Sequence, residues 1–391
     1  MQNTTQLYRQ MFHYLSQYSQ HCDLRHLQAL SWMVSALVCS QKLNLTAWEP
    51  YVQSRAQKAQ SYQRRWSRVL SNPRICVWRL YVPLVLAALS QWGSARLYLA
   101  LDTSVLWNQY CMIVLSVVWG KRAVPLLWRV IEHKSASVST HEYMPLLRLA
   151  RWLLRKFPNV MLLADRGFAN HSLLEWCRHS GWHWCIRLPS DVRLHGVVRF
   201  ATRTVAQLYP KPGEAVFYKQ IGLWEDGTHR CHLVLANPAV ADEPWAVVTD
   251  ETPSLQTLWQ YGLRFRIEEL LLDSKSGAFQ LEDTRLRDAS QLERLYLVAA
   301  VALLYGTLMG FSVQVEGLRQ QVDPHWKRGL SYLKIGLRWV QGGVAKHRPL
   351  FDLRPFPSCE PQPCFASAKA YQDFYDQIWF SRIRSLRCNS A

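Results

Sequence analysis

The first ninety residues carry apolar side chains at spacings of three and four, as in Leu27, Leu30, Met33, Val34 and Leu37, the recurrence of an amphipathic helix. The stretch from Gln53 to Leu70 is polar, with arginines gathered toward its end. From Arg96 the texture changes to short apolar, β-rich runs at 96–102, 110–119 and 123–131, separated by polar or glycine-containing turns, which predict three successive strands. An amphipathic helix fits His141 to Lys156, a fourth strand Val160 to Ala164, a helix His171 to Ser180 and a fifth strand Trp184 to Leu188. Residues 190–250 bring further alternating runs, too many for a loop. Helical spacing returns from Leu255 to Lys275, and a long apolar helix follows over 290–312.

The order strand, strand, strand, helix, strand, helix, strand predicts an α/β chain whose mixed sheet resembles a ribonuclease-H-like core covered by helices. On this reading a helical domain occupies 1–90, the core 91–189 and 251–345, a β-rich insertion subdomain 190–250, and a C-terminal extension 346–391. Prolines at 349, 355, 357, 361 and 363 make the extension read as loosely packed.

A chain of 391 residues, 49% hydrophobic and 19% charged, is too apolar to be disordered and has room for two or three domains. Its net charge of +18 points to a polyanionic partner, with nucleic acid ahead of an anionic membrane surface. Ten basic side chains against only Asp23 and Glu49 in residues 1–90 make that helical lobe the expected DNA-binding domain. Leu295 to Val313 runs 19 residues without a charge and is long enough to be a membrane-span candidate. Its Tyr, Thr, Ser and two Gly, between charged flanks, read instead as a buried core helix, so no membrane partner is expected. The ten cysteines are scattered with no CxxC pair, as for reduced thiols in a cytoplasm, and the start MQNTTQLYRQMFHYL does not look like a secretory signal. Glycine-rich phosphate loops, a serine nucleophile elbow and HExxH are lacking, which leaves kinases, α/β hydrolases and zincins without support.

Asp102 and Asp165 each follow an apolar run, at the strand ends where α/β sheets gather reactive side chains. One such aspartate is ordinarily a turn former. Two on neighbouring strands would reach one sheet edge and offer the oxygen ligands that a hard cation such as Mg²⁺ requires. Further on, Tyr261, Arg264, Glu268 and Lys275 fall within an arc of roughly 60° on an α-helix and form a polar stripe. Alone, such a stripe is an exposed ladder of charge pairs. Glu269 and Asp273 point about 80–140° away from Glu268. His229, Cys231 and His232 lie within one strand, whose neighbours alternate faces, and make a poor metal set.

The pattern Tyr-x2-Arg-x3-Glu-x6-Lys at Tyr261, Arg264, Glu268 and Lys275 resembles the YREK signature of DDE transposases of the insertion-sequence-four family. Leu-Asp102-Thr-Ser resembles that family's first aspartate motif and Ala-Asp165-Arg-Gly-Phe its second, with the β-rich insertion between the second aspartate and the glutamate. The stretch Ala56 to Leu70, with Arg64 and Arg65, is similar to its DNA-binding lobe, so the resemblance spans about residues 20–340. It implies that Asp102, Asp165 and Glu268 are catalytic and hold two Mg²⁺ ions, for which Mn²⁺ can substitute. It further implies that Arg264 and Lys275 clamp phosphates, that Tyr261 hydrogen-bonds one, and that Arg64, Arg65 and Arg166 contact DNA. Trp245 resembles the family tryptophan that stabilises a flipped base, an ordinary core tryptophan being the other reading. The implied activity is recognition of terminal inverted repeats in double-stranded DNA, cleavage through hairpins and transfer of 3′ ends to a target, by a homodimer. A magnesium-dependent nuclease without strand transfer and a domesticated, non-cleaving DNA-binding protein share the same residues.

Overall fold

The structure is a computed structural model that describes residues 4–21, 23–54, 56–198, 201–238, 243–324, 329–346, 348–359 and 380–387. Pro361 and Pro363 of the tail, and Cys22, Cys364 and Cys388, lie outside the described residues. In chain order the elements are α1 (Thr4–Tyr18), α2 (Leu24–Ser40), α3 (Ala59–Leu70), α4 (Val77–Ala88), β1 (Leu97–Leu106), β2 (Tyr110–Trp119), β3 (Arg122–Glu132), α5 (Thr140–Leu153) and β4 (Val160–Ala164). They continue as α6 (His171–Ser180), β5 (His183–Arg187), β6 (Arg193–Val198), β7 (Ala201–Thr204), β8 (Glu214–Leu223), β9 (His229–Asn237) and β10 (Trp245–Thr249). The last are α7 (Leu255–Gly262), α8 (Phe265–Leu272), α9 (Ala289–Val315), α10 (Tyr332–Lys346) and β11 (Arg382–Arg387). The chain forms two units, one of residues 1–93, 103–136 and 266–362, the other of 94–102, 137–265 and 363–391.

In the first unit the hydrogen-bonded strand order is β3-β2-β1. β2 and β3 are antiparallel, and all ten residues of β2 are buried, which is why Tyr110–Trp119 reads as an unbroken apolar run. The axis of the unit is α9, capped at its start by Asp288, whose carboxylate accepts the Gln291 N–H at 2.8 Å. It packs against α2, α3, α4, α10 and β3. By length and composition α9 could cross a membrane, but its whole apolar window is buried in protein. Hydrophobic on every side, it is a core helix enclosed on every side. Gly310 and Gly336 let the backbones of α9 and α10 touch, because a Cβ on Gly310 would stand 1.8 Å from the Tyr332 carbonyl oxygen.

In the second unit β1, β4 and β5 are parallel, and the order runs β1-β4-β5-β10-β9-β8-β6-β7, with β11 beside β8. The strands of residues 190–250 join this sheet through β10, which lies antiparallel to β5. The tail segment Arg382–Arg387 is a strand and not a loose extension, paired in parallel with β8. Asn170 caps α6 by accepting the Leu173 N–H at 3.0 Å, and Gly181, at φ 72°, ends it in the left-handed conformation glycine tolerates.

Candidate active site

Register brings the two aspartates side by side. Leu101 pairs with Ala164 at the last rung between β1 and β4, so Asp102 and Asp165 are the next residues on adjacent parallel strands. Only Asp165 ends its strand, leading into a short 3₁₀ turn over Arg166–Phe168. Asp102 lies within β1, which continues through the β-favouring Thr103, Val105 and Leu106, and this corrects the strand end expected at residue 102.

The segment carrying the signature is not one continuous helix. α7 ends at Gly262, Leu263 and Arg264 form a turn, α8 begins at Phe265, and residues Asp273–Gly277 form a π turn in which the Ala278 N–H reaches the Asp273 carbonyl at 2.8 Å. The stripe computed at a constant 100° per residue is therefore broken twice.

Within the second unit the Tyr261 hydroxyl donates to Asp165 Oδ1 at 3.4 Å, and Arg264 Nη1 donates to Asp102 Oδ2 at 3.3 Å. Each carboxylate thus meets one residue of the signature. Arg264 is 4% exposed, with its guanidinium 4.7 Å from the Phe265 ring centroid and 5.7 Å from that of Tyr261. Its contact to Asp102 is longer than a tight charge-assisted hydrogen bond. Burial pushes the Tyr261 phenol up to about 12, against the lowering field of Arg264, so it stays a proton donor at neutral pH. Trp245, at the start of β10, is partly buried against a cluster that includes Phe217, Val234 and Leu258, with its ring 5.6 Å from Tyr261 and 5.7 Å from Phe265.

Arg166 is 54% exposed and pairs with Glu243 at 3.5 Å. Glu243 also pairs at 2.7 Å with Arg187, a buried cation whose charge reaches Tyr261. Sequence reasoning did not find Arg187, because a partner 56 positions away leaves no spacing to read.

In the first unit Glu268 stands in the first turn of α8. Lys275 Nζ donates to the Val105 carbonyl at 3.0 Å and pairs with Glu282 at 3.1 Å. Glu269 and Asp273, set aside as ligands, both face Arg122, at 3.0 and 3.5 Å. On α3, Arg64 is exposed and Arg65 is half-buried, its guanidinium 4.8 Å from the Trp66 ring centroid. Among the described residues no group of three His, Cys, Asp or Glu side chains is gathered to hold a metal ion, and this includes His229, Cys231 and His232. In donor chemistry, the paired carboxylates of Asp102 and Asp165 suit a hard divalent cation. The seven described cysteines, Cys39, Cys76, Cys111, Cys177, Cys185, Cys231 and Cys359, are free thiols.

The transposase DDE domain family matches residues 109–305, half of the chain, and the protein belongs to that family. No curated protein matches the sequence. Among solved structures, the cryo-EM structure of a piggyBac transposase synaptic complex with hairpin DNA is similar at 8% identity and a TM-score of 0.46, covering 97% of this chain and 83% of that one. Marinitoga piezophila Argonaute, in complex with 5′ OH guide RNA and target DNA, is similar at 11% identity and a TM-score of 0.21, covering 64% of this chain and 35% of that one. The family match alone makes the identification.

Proposed function

We propose that the protein is a DNA transposase of the insertion-sequence-four type that acts in the cytoplasm as a homodimer on the terminal inverted repeats of a mobile element. It cleaves both strands, through DNA hairpins, and joins the 3′ ends to target DNA. The observation that supports this reading is the meeting of Tyr261 with Asp165 and of Arg264 with Asp102, since residues 96 and 162 positions apart in the chain converge on neighbouring carboxylates.

Asp102, Asp165 and Glu268 are the residues that would hold divalent metal, Mg²⁺ with Mn²⁺ as a substitute. When bound, such ions would supply Lewis-acid stabilisation for a displacement at phosphorus. Arg264 and Lys275 offer cations to phosphate oxygens beside the scissile bond, and Tyr261 offers a protonated hydroxyl. Trp245 presents an indole face on which a displaced base can stack, worth about 1–3 kcal/mol. Arg64, Arg65 and Arg166 add phosphate contacts that fix register without reading sequence.

The test is incubation of the purified protein with DNA carrying its element's ends, with Mg²⁺ or with EDTA, read on a denaturing gel. Metal-dependent nicks followed by hairpin-length species, lost in Asp102→Ala, Asp165→Ala and Glu268→Ala while DNA binding persists, are expected. Binding without any cleavage by the wild type would instead identify a domesticated DNA-binding protein, and cleavage without joining of pre-cut ends a nuclease.

A further inference from the structure

The sheet of the second unit carries a polar cleft at the end of its strands opposite the aspartates. Asp165 follows Ala164, the partner of Ile186, whereas His183 starts β5 opposite Met161, and Asp250 follows β10, whose last residue Thr249 pairs with Cys185. The cleft beside His183 and Asp250 has a volume of about 320 Å³. That is the low end of small-molecule sites and admits one nucleotide-sized group, not a duplex.

Its walls are basic and aromatic. Arg178 from the last turn of α6 and Arg230 from β9 are exposed in it, and His183, His229 and His232 add three imidazoles beside Trp182 and Trp184. Among the described lining residues the one carboxylate, Asp250, already accepts from His183 Nδ1 at 2.8 Å and from the Trp184 N–H at 3.0 Å. The acids just outside are likewise engaged, Glu175 with His171 at 3.6 Å and Asp226 with the Thr228 hydroxyl at 2.7 Å. Burial first, and then the charges of His171 and Arg178, hold the His229 imidazole below its ordinary range, and burial with Lys219 does the same to His232 against the opposing Asp250, so both rings resist protonation beside the arginine and lysine charges. A bound anion would relieve that repulsion.

The backbone at this place is also unusual. β8 is bulged against β9 between Tyr218 and Ile221, and Gln220, a non-glycine residue, sits in the bulge at φ 60°. The Gln220 N–H donates to His232 Nδ1 at 3.4 Å, which leaves the ring proton on Nε2 as a donor. Bulges and left-handed non-glycine residues collect where a strand must re-aim side chains for function.

We propose that this cleft is a second DNA contact, which takes one nucleotide of an unpaired strand with its phosphate between Arg178 and Arg230 and its base against the aromatic and imidazole wall. The proposal rests on the transposase reading for its choice of DNA over a free nucleotide.

The test compares wild type with Arg178→Gln/Arg230→Gln, two exposed positions outside the aspartate site, for binding of a fluorescein-labelled twelve-nucleotide single strand across a KCl series. Losing both arginine contacts to that one phosphate should lower the slope of log affinity against log salt by about 0.7 and weaken binding about tenfold in low salt. Equal affinities and slopes would overturn the proposal, whatever the cleavage assay gives. Complete displacement of the strand by free dTMP would overturn the DNA assignment in favour of a mononucleotide. Cleavage of element ends is followed on the same preparations. Loss of affinity in the variant, with no cutting by the wild type, would sink the transposase reading and leave the cleft standing.

Discussion

Gly310→Ala is the sharpest test of how the first unit is held together. The new methyl would lie 1.8 Å from the Tyr332 carbonyl oxygen, 2.6 Å from its carbon and 2.9 Å from the Gly336 nitrogen, where ordinary contact begins at 3.4 Å. All three atoms are backbone, so no side chain can rotate away. The crossing of α9 and α10 must open by more than about 1 Å, a gap that forfeits up to half the dispersion energy of the atoms left apart. This places the substitution at the upper end of overpacking costs, about 3 kcal/mol, from which the better helix propensity of alanine recovers about 1 kcal/mol. A net loss of about 2 kcal/mol lowers the melting temperature of a unit of this size by roughly 4–8 °C. Thermal unfolding followed by circular dichroism measures it. Gly262→Ala serves as the control, because nothing lies within 4 Å of its Cβ position, and it should change stability by no more than about 0.5 kcal/mol, in the stabilising direction. A Gly310→Ala protein that melts with the wild type or above it would refute the close crossing.

Tyr261→Phe removes one long hydrogen bond to Asp165 and leaves the ring contacts with Trp245 and Phe265, so stability should fall by less than about 1 kcal/mol while strand cleavage slows; unchanged cleavage would strip the hydroxyl of a role. Arg96 binds Glu251 through both carboxylate oxygens, at 2.6 and 2.7 Å, and holds its carboxyl below the ordinary glutamate range. A lowered folded-state pKa gives stability that is present above the unfolded value and lost as pH falls through the folded one. Wild type should therefore exceed Glu251→Gln by about 1 kcal/mol at neutral pH, discounted for partial exposure, and the gap should close in acid; a gap independent of pH in urea titrations would contradict the linkage.

The sheet core was legible because strands covered on both faces become continuous apolar runs. Tyr110–Trp119 and Val160–Ala164 were read at their observed bounds, as was α6 at His171–Ser180. α9 was legible as a helix, and its two glycines, which argued for a core position, lie against α10. α10 itself went unread, since Gly336, Gly342 and Gly343 weaken its helical signal and the crossing on α9 supplies what propensity does not. The paired aspartates were legible from their flanking runs, whereas the helix break at Leu263–Arg264 and the π turn at Asp273–Gly277 were not, because a periodicity argument assumes one rotation per residue throughout. Ion pairs such as Arg187 with Glu243 depend on sheet register and leave no local trace.

The break in the helix also accounts for the first spacing of the signature. Two aspartates on adjacent strands, with Asp102 only 18% exposed, repel each other unless each is compensated. On an unbroken helix, residues three apart point in directions about 60° apart. Here Tyr261 lies in the last turn of α7 and Arg264 occupies the turn before α8, and one side chain reaches Asp165 and the other Asp102. Phe265, immediately after the turn, lies against Trp245 and under the guanidinium, fixing the arginine from the side. The two-residue gap between tyrosine and arginine is therefore a constraint set by strand spacing, and inserting a residue between them should damage the site even where every side chain is kept.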